Sequence, residues 1–141
     1  MPHSSSSQNN LKNAGLKVTL PRTKILHILE TDPAAHLSAE DIYKKLLEHG
    51  DDVGLATVYR VLTQFESAGL VIRHNFGDGR SVFELDQGEH HDHLVCVKCG
   101  QVEEFVDNVI EQRQAEIARN KNFQMTDHSL YIFGICAACS A

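Results

Sequence analysis

The four cysteines of this chain form two Cys-X-X-Cys pairs, Cys96 with Cys99 and Cys136 with Cys139. Two thiols on one tight turn can bind the same ion, and two such turns complete a tetrahedral Zn2+ site. A thioredoxin-like redox motif needs a single pair in a βαβ setting, and buried free cysteines would not repeat the spacing. The pairs therefore predict a structural zinc site, closed by four thiolates, that joins two distant segments of the chain.

The expected compartment supports this interpretation of the cysteines. The first ten residues, MPHSSSSQNN, lack the apolar segment of a secretory signal. No apolar run approaches the roughly 18 residues that a membrane span requires. We therefore expect a cytoplasmic protein, in which thiols stay reduced. A formal net charge of -6 argues against a non-specific nucleic-acid coat, although a sequence-specific binder can arrange its charge locally.

The composition changes near Asp86-Gln87-Gly88. Residues 1–86 contain no cysteine, whereas the remainder contains all four together with four of the nine histidines. We predict a polar, mobile tail over residues 1–10, a first domain over 11–86 and a second over 87–141. The second domain is too small to bury a large core alone, so we expect metal, dimerisation or both to stabilise it.

The first predicted domain has three helices followed by a β-hairpin, which is the order of a winged helix-turn-helix. Capping residues, helix-ending glycines and β-branched runs mark its elements. The predicted elements are a helix starting at Thr19-Leu20-Pro21, a helix from Ser38 to Gly50, a helix from Leu55 to Ala68, and strands Leu70–Arg73 and Ser81–Leu85 around the turn Gly77-Asp78-Gly79.

The second predicted domain alternates strands with one helix. Asp107 is a suitable N-cap for that helix, and Ile110 and Ile117 are predicted to face inward. The whole chain is therefore expected to be an α+β protein. The predicted elements are strands over residues 91–97, 102–106 and 130–135, a turn over 96–100, and the helix from Asp107 to about Asn120.

The run His90-His91-Asp92-His93 is a second candidate for metal binding. Alternate residues of a strand point to opposite faces, so His91 and His93 share one face and His90 and Asp92 share the other. One strand could thus give two ligands to each of two sites; the alternative is a solvated polar loop. Imidazole and carboxylate ligands suit divalent iron, manganese, cobalt or zinc. Candidates for the remaining ligands are Glu84, Glu103, Glu104, Glu111, His36 and His128.

The third predicted helix carries a candidate DNA-reading face. No acidic residue occurs from Val53 to Phe65. Residues 11–29 likewise have four Lys or Arg side chains and no Asp or Glu. Small, hydroxyl and basic side chains on one face can approach bases and phosphates. The alternative is an ordinary exposed face of a helix bundle. Opposite the apolar stripe of this helix lie Ala56, Thr57, Tyr59, Arg60, Thr63 and Gln64.

Several motifs together resemble those of the ferric uptake regulator family, bacterial metal-dependent repressors. They are the run LKVTLPR over residues 16–22, GLATVYRVL over 54–62, HNF followed by SVFEL, and HHDHLVCVKCG. The resemblance extends from Leu11 to Cys139. It implies a homodimer, or a higher oligomer, with an N-terminal winged helix that binds double-stranded operator DNA and a C-terminal α/β dimerisation domain.

The resemblance also implies roles for individual residues. The four cysteines match structural zinc ligands, and residues from both domains match a metal-sensing site at the domain junction. A further metal site lies within the dimerisation domain. The sensing residues are His36, Glu84, His91, His93 and Glu104; the further site is His90, Asp92, Glu111 and His128; the DNA contacts are Lys17, Ala56, Thr57, Tyr59 and Arg60.

Within the family, the iron-sensing branch is favoured. The peroxide-sensing branch tends to have Asp where Glu84 and Glu104 stand, and the zinc-sensing branch often places a cysteine in its sensor. We therefore expect Fe2+ as the regulatory metal, with Mn2+, Co2+ or Zn2+ able to substitute, and repression of iron-uptake genes. A zinc hydrolase would leave half of the chain unexplained, and no substrate-pocket signature is present, so we expect no enzyme activity. A metal-storage or chaperone protein is the other alternative, and metal-dependent, site-specific DNA binding distinguishes the three.

Overall fold

The computed structural model describes residues 2–34, 36–76 and 79–141. The chain divides into two compact units, Met1–Gln87 and Gly88–Ala141, called here the N-terminal and the C-terminal unit. This division lies one residue from the predicted boundary after Asp86. Among the described residues, no helix combines the length and apolar character needed to cross a membrane.

The N-terminal unit contains four helices and a two-stranded hairpin. The predicted caps at Thr19 and Ser38 are confirmed, because each side-chain oxygen accepts a backbone N–H of its helix. Asp41 reciprocates by accepting the N–H of Ser38, which completes a capping box. The elements are α1 (Pro2–Asn13), α2 (Leu20–Thr31), α3 (Ala39–Glu48), α4 (Leu55–Ser67), β1 (Val71–Asn75) and β2 (Ser81–Leu85).

The N-terminal unit has a continuous hydrophobic core. One face each of α2, α3 and α4 is buried, and Phe83 of β2 joins them. In α4 the buried side chains are Val58, Val61, Leu62 and Phe65, which follow the spacing of one helix face. The opposite face of α4 is thereby held outward.

The predicted mobile tail over residues 1–10 is wrong for residues 2–10, which belong to α1; Met1 lies outside the described residues. Two of their polar side chains form hydrogen bonds with α2 that their composition does not predict. Ser7 is fully buried and donates to Glu30 Oε1 at 2.6 Å, and Asn10 donates to Glu30 Oε2 at 2.7 Å. Leu11 also enters the core. A polar helix therefore packs here through hydrogen bonds with one carboxylate.

Strands β1 and β2 form the predicted antiparallel hairpin, with Ile72 opposite Glu84 and His74 opposite Val82. Strand β1 extends two residues beyond the predicted Arg73. Gly77 and Asp78 of the predicted turn lie outside the described residues. Gly79 has a φ of +80°, which a glycine adopts without strain. Leu37 forms a β-bridge with Phe83, so the segment before α3 lies beside the hairpin.

The C-terminal unit is a three-stranded sheet with two helices. Strand β3 is central, antiparallel to β4 and parallel to β5, and α5 connects β4 to β5. The predicted Asp107 cap is confirmed by its bonds from Val109 N–H and Ile110 N–H. The elements are β3 (Asp92–Cys96), β4 (Val102–Phe105), α5 (Asn108–Asn120), β5 (Tyr131–Gly134) and α6 (Ala137–Ser140), the last of which was not predicted.

The C-terminal unit leaves much of its apolar surface in solvent. No residue of α5 is buried, and Ile117 is 50% exposed, so the prediction that it faces inward is wrong for this chain alone. Ile110 is partly buried. Leu94, Ile132 and Phe133 of the sheet are also at least 40% exposed. A small unit with one short sheet has too few side chains to cover both its helix and its strands.

Candidate metal centres and DNA-binding face

The four cysteines meet at one end of the C-terminal unit. Cys96 ends β3, Cys99 lies in the following turn, and Cys136 and Cys139 lie at the start and within α6. All four Sγ atoms lie within 4.8 Å of one another, and those of Cys99 and Cys136 are 3.7 Å apart. All four are free thiols. The sequence prediction that two distant pairs converge is confirmed.

The backbone around this thiol cluster favours anionic sulfur. The N–H groups of Cys99 and Cys136 point at Cys96 Sγ at 3.5 and 3.4 Å. Together with the N–H of Lys98 they lower the pKa of Cys96 to about 6. The hydrogen bonds with Cys136 and Cys99 raise the pKa of Cys139 to about 12, because neighbouring sulfurs oppose a second charge. Four crowded sulfurs of this kind fit a divalent cation that prefers thiolates, such as Zn2+.

Two predicted sensing residues lie together in the N-terminal unit. Glu84 of β2 is 4% exposed, and its Oε2 lies 3.0 Å from His36 Nε2. The bridge between Leu37 and Phe83 brings the two residues together, since each is next to one of the bridge partners. His74 of β1 lies on the other side of the carboxylate, with Nε2 2.6 Å from Glu84 Oε1. This second imidazole was missed from the sequence.

The other three predicted sensing residues lie together in the C-terminal unit. His93 of β3 is directly opposite Glu104 of β4, and His91 Nε2 lies 3.2 Å from Glu104 Oε1. The rings of His91 and His93 are 4.9 Å apart. One ligand atom of each residue lies within 4.8 Å of the others. Two imidazoles and a carboxylate thus form a mixed set of the kind that divalent transition metals bind.

The opposite face of β3 carries the additional cluster. His90 Nε2 lies 3.1 Å from Asp92 Oδ1 and 3.5 Å from Glu111 of α5. His128 Nε2 lies 3.1 Å from Glu111 Oε2, and its ring is 4.2 Å from that of His90. His90 and His91 precede β3, which starts at Asp92, one residue later than the predicted strand. The residues nevertheless divide as the sequence predicts, with His91 beside His93 and His90 beside Asp92.

Asp92 shows that this additional cluster suits a cation. Its side chain is fully buried, and Oδ2 makes no hydrogen bond to any described residue. A buried carboxylate oxygen without a partner loses its hydration with no compensation. A divalent ion would restore that compensation, and His90, Glu111 and His128 are close enough to share it.

Glu103 is the one carboxylate candidate that the described residues do not bring into a cluster. It is opposite Leu94 in the sheet, so its side chain leaves β4 on the face away from Glu104. It is exposed and accepts a hydrogen bond from Gln101 at 3.3 Å.

The exposed face of α4 carries the predicted DNA-contacting residues. Ala56 and Arg60 are exposed, Tyr59 is 42% exposed, and Thr57 is half-buried. Tyr59 donates its hydroxyl to Glu40 of α3, and this hydrogen bond raises the pKa of Tyr59. Sequence reasoning missed Glu40, because α4 itself has no acidic residue on this face.

Lys17 lies on the same surface as α4. A cleft of about 400 Å³ is lined by Lys17, Thr19, Arg22, Thr57, Arg60 and Gln64, without a carboxylate. Arg22 ties this surface together: it donates to the Lys17 carbonyl at 2.8 Å and to Gln64 Oε1 of α4 at 3.0 Å. A basic, acid-free cleft beside an exposed helix fits a phosphate backbone and base edges.

Comparison with known proteins identifies the family of this chain. Residues 13–133 match the model of the ferric uptake regulator family. The ferric uptake regulation protein of Legionella pneumophila is 72% identical over 129 residues, covering 92% of this chain and 95% of that protein.

Two solved structures are also similar. The crystal structure of the Vibrio cholerae ferric uptake regulator has a TM-score of 0.86 at 60% identity, covering 92% of this chain and 98% of that one. The ferric uptake regulator from Francisella tularensis, determined with iron, has a TM-score of 0.86 at 45% identity, covering 90% and 96%. This chain belongs to the ferric uptake regulator family, the metal-dependent transcriptional repressors of iron uptake.

Proposed function

We propose that this protein binds operator DNA through α4 and the Lys17 segment when Fe2+ occupies a sensing site built from residues of both units. His36 and Glu84 are the ligands from the N-terminal unit; His91, His93 and Glu104 are those from the C-terminal unit. The observation that carries the proposal is that each unit holds a clustered partial set of ligands. Together, the two ligands of one unit and the three of the other would offer five nitrogen and oxygen donors to one ion.

An ion held by these five residues would supply positive charge that offsets the repulsion between the Glu84 and Glu104 carboxylates. The residues of each unit then couple metal binding to the orientation of the DNA-binding surface. Because Glu84 belongs to the hairpin and His36 lies just before α3, fixing these two residues fixes the N-terminal unit as a body. The recognition helix α4 packs in that same core, so its orientation follows. Metal therefore selects one arrangement of the DNA-binding surface.

Donor chemistry and one relative support the choice of metal. Nitrogen and oxygen donors without sulfur suit Fe2+ and Mn2+, whereas thiolates favour zinc. The Francisella tularensis relative was determined with iron. We assign Fe2+ to the sensing site, with Mn2+, Co2+ or Zn2+ as substitutes, and Zn2+ to the four cysteines, where it stabilises the C-terminal unit.

A homodimer completes the proposal. The C-terminal unit exposes apolar side chains on α5 and on its sheet that a second copy would cover. A dimer places two copies of α4 at a fixed separation, which is what reading two half-sites requires. The cluster of His90, Asp92, Glu111 and His128 lies within one unit, so a metal there would stabilise that unit more than it would orient the DNA-binding surface.

A DNA titration tests the sensing site. The wild-type protein first selects a duplex from a random pool in the presence of Mn2+. Affinity for that duplex is then measured by fluorescence anisotropy with Fe2+ under anaerobic conditions, with Mn2+, with Zn2+, and with a chelator. Coupling of this type typically changes affinity about 5–150-fold. We expect Glu104→Ala to lose most of this response while retaining cysteine-bound zinc and the dimer.

Glu103→Ala is the matched control, because it removes the adjacent carboxylate from the other face of the same strand. It should respond to metal as the wild type does. An unchanged metal response in Glu104→Ala would overturn the sensing assignment. A loss that is confined to His128→Ala would move the sensor to the opposite face of β3.

A further inference from the structure

We propose that His74 is a positioning residue that holds the Glu84 carboxylate in the orientation needed for metal binding. The proposal rests on the assignment of Glu84 to the sensing site. The two oxygens of the Glu84 carboxylate lie next to different histidines. Oε1 lies 2.6 Å from His74 Nε2, whereas Oε2 lies 3.0 Å from His36 Nε2.

The hydrogen bond from His74 removes the freedom that a glutamate side chain would otherwise have. The terminal torsion of Glu is broad, so an unrestrained carboxylate samples many orientations. The contact is short, as expected when an imidazole N–H donates to a charged carboxylate. With Oε1 held, Oε2 is turned toward His36, the other ligand of this unit.

His74 is itself held in place. It is 5% exposed, it belongs to β1, and its ring stacks on Phe76 with the two planes 11° apart and the centroids 5.9 Å apart. In the hairpin, Glu84 is opposite Ile72, so His74 is two residues along the same face of β1. The register of the strands and the stacked ring therefore aim Nε2 at Glu84.

Such support matters because outer hydrogen bonds orient metal ligands and raise their affinity. Loss of a partner of this kind typically weakens metal binding about 10–100-fold. His74 would act through Glu84, and it would not contact the ion.

Three variants separate positioning from direct ligation and from a structural role. His74→Leu keeps an apolar side chain in the buried position and removes the donor. His74→Gln retains an N–H donor that reaches about as far as Nε2, while an amide is a poor metal ligand. His49→Leu changes an exposed histidine of the same unit and is the matched control.

The primary measurement is Co2+ affinity of the zinc-loaded protein, followed by the visible absorption bands of the ion that depend on Glu84. We expect His74→Leu to bind Co2+ about 10–100-fold more weakly. His74→Gln and His49→Leu should bind nearly as the wild type does, with unchanged absorption bands. Thermal unfolding before Co2+ is added reports whether each variant is folded.

Each outcome has a definite meaning. Equal losses in the folded His74→Leu and His74→Gln variants would mean that His74 is a ligand, which overturns the positioning role. Wild-type affinity in His74→Leu would overturn it as well. Glu84→Ala distinguishes this failure from failure of the proposed function: if it also binds Co2+ with wild-type affinity and spectrum, the sensing assignment of Glu84 is wrong.

Discussion

Replacement of Asp92 by Asn should make the metal-free protein more stable and should reduce the stabilisation that added metal provides. The Asp92 side chain is fully buried, and one of its two oxygens has no hydrogen-bond partner among the described residues. Asn keeps an oxygen that can accept from His90 and replaces the unpartnered oxygen with the uncharged NH2 of an amide. This amide NH2 can donate toward the neighbouring Glu111.

The magnitude follows from the cost of the lone oxygen. A buried polar group without a partner costs about 1–3 kcal/mol, and more when it is charged. Relief of that cost should raise the free energy of unfolding of the metal-free protein by about 1–3 kcal/mol. For a small cooperative unit, 1 kcal/mol corresponds to a shift in the melting temperature of about 4–8 °C.

Added metal should stabilise the wild type more than Asp92→Asn. A ligand at 100 times its Kd stabilises the folded state by about 2.7 kcal/mol. The wild type should gain this from the additional site, whereas Asp92→Asn loses a charged ligand and should gain much less. The two melting temperatures should therefore approach or cross as the Mn2+ or Zn2+ concentration rises.

Differential scanning calorimetry of zinc-loaded protein, with and without added metal, measures both effects. Glu116→Gln is the matched control: it also converts a carboxylate to an amide, but on an exposed side chain of α5 that pairs with Arg113. An exposed pair contributes little, so its melting temperature should hardly change. If Asp92→Asn destabilises the metal-free protein, or if metal raises both melting temperatures equally, the argument from the buried oxygen is refuted.

Three further predictions concern the other sites. Cys96→Ser should release the tightly held zinc to a chromogenic chelator and elute as a monomer in size-exclusion chromatography; a dimer of unchanged heat stability would contradict the structural role. Arg60→Ala should weaken operator binding by about 1–3 kcal/mol in an anisotropy titration with metal content unchanged, whereas Arg113→Ala should bind normally. Glu40→Gln should lower the pKa of Tyr59, which NMR can follow. Because the pKa of Tyr59 is raised in the folded protein, its contact with Glu40 stabilises the fold below about pH 10, and this stabilisation is lost as the pH rises through the folded pKa. An unchanged pKa would exclude Glu40 as the cause of the shift.

Much of the local structure was predictable because its causes lie within a few residues. Thr19, Ser38 and Asp107 cap helices with their own side chains, so each helix start is marked in the sequence. The alternation of an extended chain is equally local: Asp92 and His93 of β3 belong to different clusters, and the extended residues before β3 place His90 with Asp92 and His91 with His93. The repeated Cys-X-X-Cys spacing similarly predicts that two distant turns meet.

Only the tertiary structure decided which distant side chains share a charge or a hydrogen bond. A polar N-terminal segment is helical because Ser7 and Asn10 meet Glu30 across α1 and α2. His74 reaches Glu84 only through the register of the hairpin.

The helix α5 shows the same limit for apolar residues. Its periodicity correctly predicts a helix, but Ile117 is half exposed, because the C-terminal unit has no layer of its own to cover that side. Periodicity records which side chains lie on one face of a helix. What that face meets depends on residues far along the chain, or on a second chain, and hydrophobic burial and hydrogen bonding act on that spatial neighbourhood irrespective of sequence distance.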